Sequence, residues 1–213
     1  MNESLKKFLA PAKLNGVELK NRMIKAATFE SMLDDNFNIT QKCIDFHEDF
    51  AKGGVGMTTL AYCAPEADGR MQSHYMYIRE EIKPQLKKLA DTVHSYGSML
   101  SGQIAHCGGF SRNTSLQRKR PVAPSRILNM SGIPSGMFFT DEMDEKLMTE
   151  VAQSFGNAAR IMKESGFDAV EIHFGHGYLL SQFISPLTNK RKDKYGGSIE
   201  NRMRFPLEVL AAE

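Results

Sequence analysis

The sequence predicts an α/β fold in which helices wrap a parallel sheet. Three observations support this prediction: four apolar runs recur along the chain, helix-like segments separate them, and no low-complexity or Pro/Gly/Ser-rich linker interrupts the series. Strands that alternate with helices are typical of parallel βαβ units. The 213 residues, 41% hydrophobic and 24% charged, are therefore interpreted as a single domain spanning 1–213.

An Asn-Gly pair marks the first element. Asn15 and Gly16 stand between two short apolar stretches, a setting in which Asn-Gly is the strongest local hairpin signal. The apolar run 23–27 is the first strand candidate, and no GxGxxG turn follows it. The missing glycine-rich turn disfavours a doubly wound dinucleotide-binding sheet, which remains the alternative architecture.

The helix of the first unit and three further strand–helix pairs follow along the chain. Thr40 is expected to cap a helix that ends at 53–54, where two glycines stand. Apolar residues at spacings of four and three between Ile82 and Tyr96 predict the next helix, with Gly97 as its stop. The remaining predicted elements are strands at 55–62, 99–105 and 167–173, a helix with buried positions from Val151 to Met162 closed by Gly166, and a last helix starting near Ser198.

Composition and charge exclude several classes of function. A net charge of +2 gives no strongly basic surface for nucleic acid. There is no signal-peptide core at the N-terminus, and no apolar run reaches the roughly 18 residues of a membrane span. Cys43, Cys63 and Cys107 are widely spaced, without a CxxC pair, which favours reduced thiols. We therefore expect a soluble cytoplasmic protein that binds neither nucleic acid nor membrane.

The segment 173–178, HFGHGY, holds the most reactive group of side chains. It follows the fourth predicted strand, and working residues of parallel α/β folds lie at the carboxyl ends of strands. For His173, His176 and Tyr178, a metal site, an acid–base site and ordinary packing compete. The HFGH spacing, with a glycine on each side of His176, disfavours a metal, so none is expected. Glu30 is the one carboxylate at the four strand ends, which excludes the opposing acid pair of a glycosidase. An acid–base site is the favoured interpretation, with packing as its alternative.

The block 173–205, HFGHGYLLSQFISPLTNKRKDKYGGSIENRMRF, resembles the signature of the old yellow enzyme family of FMN-dependent oxidoreductases. LKNRMIKAAT at 19–28 is similar to the family's first barrel strand, and SGQIAHCGG at 101–109 to its third. The resemblance runs from about Phe8 to the end of the chain. It implies the first four βα units of a TIM (β/α)8 barrel with an N-terminal β-hairpin, FMN as cofactor, and NADH or NADPH as reductant.

The resemblance also implies the activity and the roles of individual residues. Members reduce activated C=C bonds of enones, enoyl or dienoyl compounds. His173 and His176 would hold the activating carbonyl oxygen, where two donors suit the developing negative charge. Tyr178, which keeps its proton at neutral pH, would protonate the α-carbon. The implied flavin positions are Ala26, Ala27 and Thr28 at the first strand, Tyr62 at the second and Gln103 at the third.

Two features depart from or extend the family's pattern. Phe29 stands where many members carry a cysteine or threonine that tunes the flavin potential, so that tuning is not carried over. The stretch 107–140 has five basic residues and no acidic one. It is interpreted either as a solvated mobile loop or as a loop that meets an anionic ligand, such as the phosphates of NAD(P)H or an acyl-CoA.

The family's barrel has eight βα units, whereas four can be read here. We expect the N-terminal half of such a barrel: either a fragment or truncated product, or a half-barrel without independent catalysis that serves as an assembly or binding module. Exposed strand edges and an apolar barrel-facing surface predict a homo-oligomer or a complementing half-barrel, with weak flavin affinity. The other expected partner is a small-molecule activated alkene.

Overall fold

The hairpin expected at Asn15-Gly16 is present in the computed structural model, which describes residues 2–212. After a short helix, α1 (Glu3–Leu9), strands β1 (Ala12–Leu14) and β2 (Val17–Leu19) pair antiparallel. Asn15 and Gly16 have φ values of 41° and 92°. Positive φ at both central residues is what the Asn-Gly turn of a tight hairpin requires, so this prediction is confirmed.

One four-stranded sheet carries the four predicted strands. In chain order they are β3 (Ile24–Lys25), β4 (Met57–Cys63), β5 (Met99–Ile104) and β8 (Ala169–Ile172). Two short strands between β5 and β8, β6 (Val122–Ala123) and β7 (Asp141–Glu142), pair with each other in a separate sheet. The strands neighbour one another in the order β3-β4-β5-β8, and β3 runs parallel to β4 with Ile24 opposite Met57. All seven residues of β4 are buried, as a strand covered on both faces requires. The observed bounds of these strands differ from the predicted ones by at most two residues.

The predicted helices are present with the expected apolar faces. They are α2 (Gln41–Lys52), α3 (Lys83–His94), α4 (Glu145–Glu164) and, after a further short helix α5 (Leu179–Ile184), α6 (Ile199–Ala211). In α3, the buried residues are Leu86, Leu89, Ala90 and Val93, which repeat at helical spacing. None of the helices within residues 2–212 is long and apolar enough to cross a membrane.

Three details of the helix predictions are corrected. Thr40 precedes α2, but its hydroxyl donates to the Met32 carbonyl rather than capping the helix. Tyr96 lies beyond α3 and is 38% exposed, because its hydroxyl reaches Glu48 at the surface. Helix α5 was not predicted, since its six residues LLSQFI are too few to show a helical period.

The chain divides into two compact units. The first comprises the residues up to Tyr62 together with Arg79–Gln103 and Ile161–Glu171, and it contains nearly all of the sheet. Its core includes Leu86, Leu89 and Leu100, all fully buried. In this unit the four strands with α2 and α3 give an α/β architecture, as the sequence predicts.

The second unit comprises Cys63–Ile78, Ile104–Arg160 and the residues from Ile172 onward. Phe183 of α5 and Phe205 of α6 pack in its core with ring centroids 4.4 Å apart. The basic stretch 107–140 lies here and contains β6 and two 3-10 turns. Its Arg118 pairs with Glu66 and Asp68, carboxylates from outside the stretch.

Candidate active site

The rings of His173, His176 and Tyr178 lie together in the second unit. Ring centroids are 4.8 Å apart for His173 and His176, 5.4 Å for His173 and Tyr178, and 6.3 Å for His176 and Tyr178. His173 and Tyr178 are half-buried and His176 is exposed. Two imidazoles and a phenol therefore face one small region at the end of β8.

The backbone of HFGHG explains how two histidines three residues apart become neighbours. The amide of His173 donates to the Ile104 carbonyl at 3.0 Å, which extends the strand pairing to the first residue of the segment. His176 then adopts a left-handed conformation with φ of 58°. A Cβ at Gly175 would lie 3.2 Å from Cε1 of His173, so glycine lets that ring lie close to the turn. Left-handed non-glycine residues are strained and concentrate at functional sites.

Tyr178 is the residue immediately before α5. Burial raises the pKa of its hydroxyl to about 12, and the negative charges that Cys107 and Tyr75 can carry add to the shift. Tyr178 therefore holds its proton throughout the neutral and mildly basic range. The ring of Phe110 lies 6.3 Å away from the Tyr178 ring, and a Cβ at Gly177 would lie 3.0 Å from Phe110.

Gln182 of α5 fixes this region, and sequence reasoning missed it. Its side chain is buried; Oε1 accepts from the Gly109 amide at 3.0 Å and Nε2 donates to the Gly177 carbonyl at 2.6 Å and the Cys107 carbonyl at 3.3 Å. One amide thus joins the turn before Tyr178 to the turn that carries Phe110. The available signal was a long amide side chain within the mostly apolar hexapeptide LLSQFI.

The remainder of the 173–205 block has structural contacts in the same unit. Asn189 donates to the carbonyls of Phe183 and Tyr195, each at 2.8 Å. Arg191 donates to the carbonyls of Pro124 and Met143 at 2.9 and 2.6 Å. These side chains satisfy backbone groups of several segments at once, which explains the polar stretch between α5 and α6.

The flavin positions implied by the resemblance lie in the first unit. Ala26 and Thr28 are exposed beyond the end of β3, where the Thr28 hydroxyl donates to the Ala26 carbonyl at 3.2 Å. Tyr62 is buried near the end of β4, and its ring lies 6.1 Å from the half-exposed Phe29 ring. Ala27 between them is half-buried.

Gln103 lies near the end of β5, two strands away from β3, or about 10 Å across the sheet. Its Nε2 donates to Oε1 of Glu171 at 2.5 Å. The expectation that Glu30 is the one carboxylate near the strand ends is therefore wrong, because Glu171 of β8 is a second. Glu171 lies within β8, two residues before His173. The predicted site residues form two groups: the flavin positions lie in the first unit, and His173, His176 and Tyr178 lie in the second.

The first unit also contains a set of potential metal ligands. Ligand atoms of Glu30, Cys43 and His47 all lie within 4.8 Å of one another. However, the Lys25 ammonium is 2.6 Å from Glu30 and already supplies a cation. Burial and the Glu30 charge raise the pKa of the Cys43 thiol to about 12, so the thiolate that a metal needs is disfavoured.

Residues 7–212 match the model of the NADH:flavin oxidoreductase / NADH oxidase family. The chain belongs to this family. Its members carry FMN and use NAD(P)H as reductant. The fold is accordingly the first four βα units of a TIM (β/α)8 barrel with an N-terminal hairpin. The resemblance to the old yellow enzyme family is confirmed.

Sequence relatives and solved structures agree on this assignment. The 4,4'-dithiodibutanoate disulfide reductase of Rhodococcus erythropolis is 39% identical over 95% of this chain and 49% of its own length. An NADPH dehydrogenase of Listeria monocytogenes is 33% identical over 98% of this chain and 60% of its own length. The Old Yellow Enzyme of Pichia sp. superposes with a TM-score of 0.88 at 29% identity, over 97% of this chain and 55% of that one. Morphinone reductase in complex with tetrahydroNAD gives a TM-score of 0.86 at 26% identity, over 96% and 59%. The chain spans about half the length of these proteins.

Proposed function

We propose that the chain binds FMN and takes part in the NAD(P)H-dependent reduction of activated C=C bonds, the ene-reductase reaction. The observation that carries the proposal is the grouping of two imidazoles and a phenol at the end of β8. These are the groups that polarise a carbonyl oxygen and donate a proton. Candidate substrates are enones and enoyl or dienoyl compounds.

The residues of the first unit fit FMN. Ala26 and Thr28 are exposed and have short side chains, which leaves room for a flat ring system to approach closely. The Gln103 amide offers both a donor and an acceptor, matching the alternating groups on the pyrimidine edge of a flavin. We propose that these residues, together with Ala27 and Tyr62, hold the cofactor, which supplies the hydride when reduced.

His173 and His176 would bind the activating carbonyl of the alkene. Negative charge grows on that oxygen as the β-carbon accepts hydride, so two fixed N–H donors stabilise the transition state more than the substrate. Loss of one such donor typically costs about 3 kcal/mol of transition-state stabilisation. The left-handed backbone at His176 supports this role, since it turns the second ring toward the first.

Tyr178 would deliver the proton to the α-carbon. With a pKa of about 12, its hydroxyl stays protonated at neutral pH and releases the proton only to a strongly basic carbon centre. Because the same raised pKa makes premature loss of the proton unfavourable, the hydroxyl is protonated at the start of every turnover.

The experiment has two stages with one protein sample. FMN is titrated into the chain and binding is followed by loss of flavin fluorescence; the loaded protein is then reduced anaerobically and mixed with 2-cyclohexenone. We expect FMN binding and reoxidation by the enone. Because one relative is named a disulfide reductase, 4,4'-dithiodibutanoate is tested in parallel. Reoxidation by the disulfide alone would replace the alkene proposal.

We also propose that residues 1–213 belong to a single FMN-binding barrel domain that works in the cytoplasm. One family model spans both compact units, which supports one domain. Cys43, Cys63 and Cys107 are buried and form no disulfide, as is typical of a reducing compartment.

A further inference from the structure

Three ionisable side chains meet in the interior of the first unit. Lys25 Nζ lies 2.6 Å from Oε1 of Glu30, and Nε2 of His47 lies 3.0 Å from Oε2 of the same carboxylate. The side chains of Lys25, Glu30 and His47 are 8%, 4% and 0% exposed. Nδ1 of His47 is 2.8 Å from the Thr58 hydroxyl, and Lys25 also donates to the Thr59 carbonyl at 3.2 Å. We call Lys25, Glu30 and His47 the buried triad.

A gain in folding stability does not by itself explain why these charged side chains are buried together. Removing a lysine and a glutamate from water is costly, and well-packed apolar residues often do as well or better in their place. Lys25 is further enclosed by the rings of Phe46 and Phe50, 5.1 and 5.8 Å from its ammonium. A buried pair is better attested as a means of fixing one arrangement of the chain than as a net source of stability.

The triad fixes the conformation of residues 26–29, the segment between Lys25 and Glu30. Lys25 is the last residue of β3 and Glu30 follows four residues that are outside any strand or helix. At the far end, the Glu30 amide donates to the Ala61 carbonyl at 3.4 Å and Ser31 turns left-handed with φ of 48°. The ion pair therefore closes a loop whose two ends are both held against β4.

We propose that the buried triad is a positioning device that holds residues 26–29 in the one backbone conformation that binds FMN. None of the three triad residues needs to touch the cofactor. Each acts through the backbone of Ala26, Ala27 and Thr28. The inference rests on the proposed function, because it assumes that this segment contacts FMN. It goes beyond that function in assigning a role to residues outside the predicted site.

The test compares Glu30→Gln with the double variant Lys25→Met/Glu30→Gln. The single variant leaves a buried ammonium without its carboxylate, so its melting temperature falls. The double variant removes both charges and recovers most of the wild-type melting temperature. Both are expected to bind FMN at least about tenfold more weakly than the wild type, as measured by flavin fluorescence well below the melting temperature.

Asp168→Asn is the matched control for ordinary destabilisation. Asp168 pairs with His94 at 2.8 Å and accepts from the Leu100 amide, in the same unit but just before β8 begins, at the opposite end of the sheet. Its loss is expected to lower the melting temperature and leave FMN affinity unchanged. A double variant with wild-type melting temperature and wild-type FMN affinity would overturn the positioning role.

A second readout is independent of the cofactor. Hydrogen exchange of the amides at 26–30, measured without FMN, is expected to accelerate in Glu30→Gln and in the double variant but not in Asp168→Asn. Unchanged exchange in both triad variants would also overturn the proposal. If the wild-type chain bound no FMN, the proposed function would fail, and exchange alone would decide whether the triad fixes the segment.

Discussion

The rings of His173 and His176 lie 4.8 Å apart because the chain turns back on itself through a left-handed conformation at His176. In an extended strand, residues three apart would be about 10 Å apart and would point to opposite faces. The glycines on each side leave room for this turn. A strained backbone that brings two donors together is evidence for a site rather than for ordinary packing.

The left-handed backbone at His176 leads to a prediction that separates the effect of backbone strain from the effect of losing the imidazole. Ala and Gly both remove the imidazole, but only glycine accepts a φ of 58° without a steric penalty, worth about 1 kcal/mol for other residues. His176→Gly is therefore expected to be at least as stable as the wild type and more stable than His176→Ala, by chemical denaturation. Both are expected to weaken binding of a phenol or enone to the FMN-loaded chain. Equal stability of the two variants would contradict the strain argument.

The proposed proton-donor role of Tyr178 predicts an effect on one half-reaction only. In Tyr178→Phe, reoxidation of the reduced protein by an enone is expected to slow by about 10²-fold or more, while reduction by NAD(P)H keeps its rate. Stopped-flow absorbance of the flavin separates the two steps. Tyr195→Phe, which removes a hydroxyl bonded to Glu208 elsewhere in the same unit, is the control. An unchanged enone rate in Tyr178→Phe would refute the assignment.

Gln182 predicts a structural effect at the same place. Gln182→Leu leaves the buried Gly109 amide and the Gly177 carbonyl without their partner, which is expected to cost about 3 kcal/mol of unfolding free energy. Gln153→Leu on the exposed face of α4 removes an equivalent side chain and is expected to cost under about 0.5 kcal/mol. Similar urea midpoints for the two variants would show that the hydrogen bonds of Gln182 do not contribute to stability.

Local chemistry explains which parts of this molecule could be predicted from its sequence. The hairpin follows from the φ values that Asn15 and Gly16 tolerate, and α3 from its apolar spacing; both signals lie within a few residues. The contacts of Glu30 with Lys25 and with His47, and of Gln182 with Gly109, join residues that are 5, 17 and 73 positions apart. No local period encodes such pairs, so these positioning side chains became visible only in the structure.

The same limit applies to the candidate site. His173, His176 and Tyr178 could be named from HFGHGY because the whole group lies in six consecutive residues after a strand. The partner of Gln103 could not be named, since it is Glu171 on a strand that is separated by 68 positions. Glu171 also lies within β8. Functional side chains of parallel α/β folds are expected on the loops beyond the strands, so its position did not indicate a role.

Glu66 predicts how stability depends on pH. Burial alone would raise the pKa of this carboxyl, but the hydrogen bond and charge of His106, followed by those of Arg118, lower it to about 2 from 4.5. A lowered pKa in the folded state contributes stability that is fully present above 4.5 and is lost as pH falls through about 2. Glu66→Gln is therefore expected to cost up to about 3 kcal/mol at neutral pH and nothing near pH 2.

A matched comparison tests this pH dependence. Glu145 pairs with Lys194, but 62% of its side chain is exposed, so Glu145→Gln is expected to change stability little at any pH. Urea denaturation of the three proteins between about pH 2 and pH 7 gives the difference directly. If Glu66→Gln kept the wild-type slope of unfolding free energy against pH, the ion pairs of Glu66 would not be the cause.

The edges of the sheet predict association between chains. Among the described residues, β3 and β8 each have a sheet neighbour on one side only, and Ile24 on β3 is 48% exposed. Unpaired strand edges with apolar side chains recruit further strands, and a lysine on the edge discourages this. We expect the wild-type chain to form a homo-oligomer in light scattering after size exclusion, and Ile24→Lys to shift it toward the monomer. Leu187→Lys, which changes an 80% exposed leucine away from any strand, is expected to leave the mass unchanged. A wild-type monomer that carries one FMN would show that the edges need no partner.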